Sequence, residues 1–237
     1  MSLDNLDVKK FYESQNDIWP VGDLWHEYTK IQIEIYLNKK KQLFLDNPST
    51  LNAGSGGNTY NLDIKMHHSD IIEKHIKNCE DYTVCSIEKT PFKNEAFGSI
   101  ICVGSVINYC DALKAISEMS RITKHKGYLV LEFESSWSME FYKSTSHKKS
   151  ACVIKTKYFN EDHILTVYSI EYIKKLLKMN NFKLVDSSRF HIISSYAYFK
   201  TKSENDSAKF CYLDVFFRKI PFFSKRSHNI ILLCQKL

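Results

Sequence analysis

Glycine and proline are scarce in this chain, at seven and four of its 237 residues. So few breakers exclude collagen-like and low-complexity architectures, and no Gly/Ser/Pro-rich linker divides the chain in two. Long apolar runs are missing as well. The longest, residues 129–133 and 230–234, fall far short of the roughly 20 residues that a membrane-spanning helix needs. The seven cysteines contain no C-x-x-C pair, and several lie inside apolar runs as small hydrophobes, so neither a disulfide framework nor structural zinc is expected. Residues 1–5 offer neither the basic start nor the apolar core of a secretory signal, which predicts a cytoplasmic protein. No internal repeat is visible.

What is present suits one ordinary folded domain: 43% hydrophobic and 25% charged residues are enough for one sizeable core. The formal charge of +6 comes from 33 basic against 27 acidic residues, clustered only at residues 39–41, 147–149 and 225–226. Such short clusters read as solvated surface, and no nucleic-acid partner is expected.

Apolar spacing predicts an amphipathic helix over residues 23–45, with Leu24, Tyr28, Ile31, Ile35 and Phe44 on its buried stripe after the break at 20–22. Strands are expected at 50–53, 65–69, 82–86, 99–103, 128–133, 182–185 and 229–235. Helical turns or helices are expected at 71–77, 111–122 and 170–178, the last capped by Ser169. This alternation implies an α/β fold, a mostly parallel sheet with helices on both faces. Residues 136–163 are polar, aromatic and without clear period, which suggests a lid. An insertion at 189–228 is too long for a simple connection and contains a helix at 207–219. The plan is therefore an N-terminal helical cap (1–47), a binding core (48–135), a lid and a substrate-side insertion.

Three of the seven glycines fall within Gly54-Ser55-Gly56-Gly57, directly after a strand. Glycine permits positive φ and, lacking Cβ, lets a ligand lie against the backbone. In an open parallel sheet ligands bind at the carboxyl ends of the strands, where this turn emerges. Asp70, after the second strand, suits the hydroxyls of a ribose. A ligand-free turn and a helix cap before Ile71 are the alternatives for the two features.

The stretch Leu51-Asn52-Ala53-Gly54-Ser55-Gly56-Gly57 resembles the first motif of the class I S-adenosylmethionine-dependent methyltransferases. Glu88-Lys89-Thr90-Pro91-Phe92 followed by Phe97, and Glu118-Met119-Ser120-Arg121 running to Gly127-Tyr128-Leu129, are similar to two later segments of that family, in the same order. The likeness covers about residues 48–135 and implies a Rossmann-like seven-stranded sheet with its last strand antiparallel and S-adenosylmethionine as cofactor. It implies that Asn52, Ala53, Gly54, Ser55 and Gly56 face the methionine part, and Asp70 with Ile71 the ribose. Ser86, Ile87 and Glu88 would flank the adenine, and Val103, Gly104 and Ser105 the sulfonium. Asn52 stands where the family has an acid, Ser86 where an aspartate is common, and the gap from Gly57 to Asp70 is too short for the family's usual helix.

Methyl transfer from a sulfonium needs alignment more than acid–base machinery, so no catalytic residue is assigned. His26, His67, His68, His147 and His163 lie nearest the cofactor segments or the lid. The aromatics Phe11, Tyr12, Trp19 and Trp25 suit a cover over the cleft or a packed first helix. Residues 215–223, the densest aromatic cluster, suggest an apolar or carrier-linked acceptor, a membrane contact, or plain core. The expected function is methylation of an O or N nucleophile on a small molecule. A non-catalytic S-adenosylmethionine-binding protein and a nicotinamide-dependent oxidoreductase stand beside it, although Thr59 occupies the third glycine position of a G-x-G-x-x-G turn.

Overall fold

The computed structural model describes residues 5–15, 18–19, 21–158 and 161–237. Residues 1–4 of the stretch read for a signal, and Pro20 of the expected break, fall outside them. The chain begins with helices α1 (Asn5–Ser14), α2 (Leu24–Lys39) and α3 (Lys41–Asp46). It then alternates through β1 (Thr50–Ala53), β2 (Met66–Asp70), α4 (Glu73–Ile76), β3 (Tyr82–Val84), β4 (Phe97–Cys102), α5 (Ala112–Ile122) and β5 (Thr123–Glu134). A hairpin of β6 (Ala151–Tyr158) and β7 (Glu161–Tyr168) precedes α6 (Ile170–Met179) and β8 (Phe182–Phe190). The short helices α7 (Ile193–Thr201), α8 (Glu204–Ala208), α9 (Asp214–Phe217) and α10 (Pro221–Ser224) lead into β9 (Asn229–Lys236).

The main sheet has seven strands in the order β3-β2-β1-β4-β5-β9-β8. β9 pairs antiparallel with both β5 and β8, and the other pairs are parallel, so the expected architecture holds. Strand alternation divides the core in two. Leu51, Ile100, Leu129, Leu131 and Leu232 pack against α5 and α6, while Ile101, Val103, Val130, Ile231 and Leu233 pack against α2 and α3. The chain reverses its stacking order between β1 and β4, which makes their carboxyl ends the natural ligand crevice.

Four expectations need correction. The helix over 23–45 is broken at Lys40, whose φ of −104° and ψ of 8° leave the helical region. Its buried stripe is Trp25, Thr29, Ile33, Tyr36 and Leu37, whereas Leu24, Ile31 and Ile35 are exposed. α2 carries apolar residues around its whole circumference, so spacing alone could not choose the stripe. The segment read as an aperiodic lid holds the β6–β7 hairpin, in which Cys152, Ile154 and Thr156 alternate with more exposed neighbours. The helix expected at 207–219 is split into α8, a turn of 3-10 helix at Cys211–Leu213, and α9.

No helix lies in the short connection between β1 and β2, and Tyr60 and Leu62 from that loop fill the apolar layer. Among the described residues no helix is long and apolar enough to cross a membrane.

Candidate active site

The glycine turn sits where its sequence placed it, at the carboxyl end of β1. Gly54, Gly56 and Gly57 have φ values of 67°, 51° and 77°, the left-handed region that a side chain disfavours. The turn is tied to β2, since the N–H groups of Gly54 and Ser55 both donate to the Ser69 carbonyl, at 2.8 and 3.1 Å. Asp70 completes the link. Its Oδ2 accepts the Gly56 N–H at 2.8 Å and its Oδ1 accepts the Ile72 N–H at 3.0 Å. Burial pushes the Asp70 carboxyl above its ordinary value, and these N–H donors oppose that shift.

A cleft with an empty volume of about 780 Å³, open on one side, runs from this turn past β2 and β3 to β4. Gly54, Ser55, Asp70, Ile71, Ser86, Ile87, Val103 and Gly104 all line it. The structure thus brings together eight of the thirteen residues singled out from the sequence.

The other five take different places. Asn52 and Ala53 are buried inside β1, and the Asn52 side chain donates to the Asn58 carbonyl at 2.7 Å, fixing the loop that replaces the missing helix. Gly56 gives its N–H to Asp70 and does not itself line the cleft, because Ile18, which does, lies against it. A Cβ there would stand 1.6 Å from Ile18 Cδ1. Glu88 accepts the Asp111 N–H at 2.8 Å and anchors the start of α5 instead of facing the cleft. Ser105 borders a second, adjoining cleft.

The two later motif segments are physically joined. Glu118 accepts both the N–H and the hydroxyl of Thr90, each at 2.7 Å, and pairs with Arg121 at 2.6 Å. The Arg121 guanidinium holds the Glu118 carboxyl down at about 2. Phe92 and Phe97 meet edge to face at 4.9 Å beside His67. These contacts brace β3, β4 and α5 and leave the cleft to others.

Sequence reasoning missed Glu132. It lies fully buried near the carboxyl end of β5, where its Oε2 accepts the N–H groups of Gly104 and Ser105 at 2.9 and 2.6 Å, and its Oε1 accepts Asn229 Nδ2 at 2.7 Å. It therefore shapes the turn after β4, where Ser105 takes a left-handed φ of 59°. Burial pushes its carboxyl up to about 7 against those three donors. Its one sequence signal was a lone charge inside the apolar run 129–133.

The second cleft, with an empty volume of about 750 Å³, shares Tyr12, Ile18, Trp19, Gly104 and Tyr109 with the first. Its far wall is polar: Glu134 and Asn229 at the paired ends of β5 and β9, Glu140, Glu204, and the imidazoles of His26, His163 and His228. His228 bridges two carboxylates, with Nε2 at 3.5 Å from Glu134 and Nδ1 at 3.0 Å from Glu140. Those carboxylates hold the His228 imidazolium well above its ordinary value, despite burial. His26 is paired with Asp23 at 2.8 Å. Burial lowers His163, which packs against Phe11 and Tyr109.

Among the remaining histidines, His68 supports Ser55 from beneath at 3.0 Å, His67 pairs with Asp81 at 2.8 Å, and His147 packs on Tyr142. Of the N-terminal aromatics, Tyr12 and Trp19 cover both clefts. Trp25 borders the second and stacks on His191 at 3.7 Å. None of residues 215–223 lines either cleft, and Val215, Phe216 and Phe222 are exposed, so the apolar acceptor pocket expected from that cluster is not built from it.

Comparison with known proteins agrees with this geometry. Residues 47–131 match the methyltransferase domain family. An uncharacterized protein of Methanocaldococcus jannaschii is 27% identical over 179 residues, 73% of this chain and 69% of its own. Two solved structures share the fold. One is an S-adenosylmethionine-dependent methyltransferase from Archaeoglobus fulgidus, with a TM-score of 0.56, 15% identity, and coverage of 87% of this chain and 94% of that one. The other is the 1,6-didemethyltoxoflavin N1-methyltransferase of Burkholderia thailandensis with bound S-adenosylhomocysteine, with a TM-score of 0.56, 11% identity, and coverage of 98% and 86%. The fold and domain are those of a class I S-adenosylmethionine-dependent methyltransferase. Domain and fold together indicate S-adenosylmethionine as the cofactor.

Proposed function

We propose that this chain transfers a methyl group from S-adenosylmethionine to an oxygen or nitrogen of a small-molecule acceptor. The observation that carries the reading is the single cleft in which the Gly54–Ser55 turn, the Asp70 carboxylate and Gly104 converge at the ends of β1, β2 and β4. The donor set suits the group. Each Asp70 oxygen accepts one backbone N–H and keeps a second lone pair for a ribose hydroxyl. Ile71, Ile87 and Cys85 form an apolar slot of the kind an adenine ring fills, with Ser86 at its rim. Gly54 and Gly104 put bare backbone at the proposed methionine end, where a Cβ would run into Val106 or Tyr60, and the Ser55 hydroxyl is held by His68.

When bound, S-adenosylmethionine supplies an activated methyl, whose bond to sulfur breaks as the acceptor's lone pair forms the new bond. The protein's contribution is position and exclusion of water. Glu132 fixes the Gly104–Ser105 turn between the two clefts, and Tyr12, Trp19 and Tyr109 wall the passage that joins them. The acceptor occupies the second cleft, and the proton it loses passes to a carboxylate or imidazole of that cleft's wall. A cytoplasmic location remains part of the proposal.

Calorimetric titration tests the reading. S-adenosylhomocysteine should bind one to one in the micromolar range, and NAD should not. Binding of NAD in preference would replace the reading with a nicotinamide-dependent one.

A further inference from the structure

The second cleft contrasts with the rest of the molecule. In a chain with six more basic than acidic charges, no lysine or arginine among the described residues lines it, while Glu134, Glu140 and Glu204 do. One imidazole, His228, is shared between Glu134 and Glu140. His26 is already held by Asp23, whose Oδ1 also accepts the N–H groups of Trp25 and His26 at the start of α2. The Glu204 carboxyl has no hydrogen bond and no ion pair with any described residue, although one of its oxygens lies within 4.8 Å of ligand atoms on Asp23 and His26. Among the described lining residues, three carboxyl groups thus face one imidazole that is held protonated, His228. A buried or half-buried excess of negative charge is costly unless something neutralises it.

An independent observation points the same way. Asn229 is 2% exposed and borders the cleft, its Nδ2 turned to Glu132, and its Oδ1 has no partner among the described residues. β5 and β9 pair Glu134 with Asn229, so the two side chains leave the same face of the sheet, the one that packs on α2. A buried amide oxygen left without a donor is uncommon in a folded protein and suits an N–H or O–H from a ligand or an ordered water.

We infer that the second cleft is the seat of a cationic nitrogen group: the acceptor carries a protonated amine, amidine or guanidine whose N–H donors are taken by Glu204, by the Glu134–Glu140 pair and by Asn229 Oδ1. The inference rests on the methyltransferase reading and narrows its acceptor. An ammonium or guanidinium presents only donors, which matches a wall that offers carboxylate and amide oxygens. Neutral alcohols satisfy fewer of those acceptors, and carboxylic acids are repelled. His163, kept toward its neutral form by burial, closes the wall without adding positive charge.

The test uses the full chain saturated with S-adenosylhomocysteine. Calorimetry is run with 2-phenylethylamine, tryptamine, cadaverine and agmatine, against 2-phenylethanol and 3-phenylpropionate, on wild type, Glu204→Gln and Glu204→Lys. At least one amine should bind wild type ten or more times as tightly as both neutral and acidic controls. Glu204→Gln should weaken it at least tenfold, and Glu204→Lys should abolish it and admit the acid, while both variants bind S-adenosylhomocysteine as wild type does. If S-adenosylhomocysteine binds but amines and alcohols are indistinguishable, or Glu204→Gln changes nothing, the inference is overturned and the methyltransferase reading stands. Zinc binding that Glu204→Gln removes, without any amine preference, overturns it in favour of a metal site. Failure to bind S-adenosylhomocysteine at all sinks the underlying reading instead.

Discussion

Asp70 Oδ2 accepts the backbone N–H of Gly56 at 2.8 Å, so the carboxylate that ends β2 and the glycine turn that ends β1 form one unit. The same carboxylate holds the Ile72 N–H before α4. Ligand binding and local structure therefore depend on the same two oxygens. Asp70→Ala should weaken S-adenosylhomocysteine binding by about 1.5 to 3 kcal/mol, the usual value of hydrogen bonds to a charged group. It should also lower stability by roughly 1 kcal/mol, because the Gly56 and Ile72 N–H groups lose their acceptor. Asp70→Asn should do less harm to both, since one acceptor oxygen remains. Calorimetry and thermal melts on the two variants check this. Lost stability with unchanged affinity would reduce Asp70 to a brace between the two turns.

Gly56→Val should abolish cofactor binding, for two reasons visible in the backbone. Its φ of 51° costs a β-branched residue about 1 to 2 kcal/mol or more. The new side chain must also displace Ile18 from over the turn. Gly22→Ala is the control, because Gly22 has a φ of 81° with nothing within 4 Å of its Cβ position. That variant should be mildly destabilised and bind normally. Normal binding by Gly56→Val would move the site elsewhere.

Glu132 makes stability depend on pH. Its carboxyl is raised from 4.5 to about 7 in the folded protein, so between those values the folded chain holds a proton that the unfolded chain releases. Stability therefore falls as pH rises through that window, by up to about 3 kcal/mol from this group. Glu132→Gln keeps an oxygen for Gly104 and Ser105, and Asn229 can turn its amide to accept from the new one. Urea unfolding at pH 5 and pH 8 should give a smaller drop for the variant than for wild type. Equal drops would mean that Glu132 is charged throughout.

His228 is predicted to be the main structural cation of the second cleft. Glu140 and Glu134 hold it protonated, so its contribution is complete below the ordinary imidazole value of 6.5 and is lost as pH rises through its higher folded value. His228→Gln at pH 6 leaves two buried carboxylates facing each other and should cost roughly 3 to 5 kcal/mol. The cost should shrink at pH 9. A cost independent of pH would mean that the imidazole acts by packing alone.

Legibility in the sequence followed the range of the interactions involved. β4 and α5 could be read because each carries its own period, an apolar run and a three- to four-residue spacing. The turn at Gly54–Gly57 stood out because glycine is scarce and φ there is positive. α2 could not be read correctly: its apolar residues surround the helix, and the sheet, not the helix, selects Ile33 and Leu37 for burial. The second cleft was invisible for a different reason. His26, Glu134, Glu140, Glu204 and His228 come from five separate segments, and each reads alone as a solvated charge. Glu132 shows the same limit, since its partners Gly104 and Asn229 are set by strand order that no local pattern encodes.

The central claim is that the cleft at Gly54, Asp70 and Gly104 takes S-adenosylmethionine and its product. The most direct measurement is the melting temperature of the wild-type chain with and without millimolar S-adenosylhomocysteine. A micromolar site then adds about 4 kcal/mol to the native state. For a chain of this size that corresponds to a rise of roughly 8 °C or more. A melting curve that does not move at millimolar ligand would contradict the account.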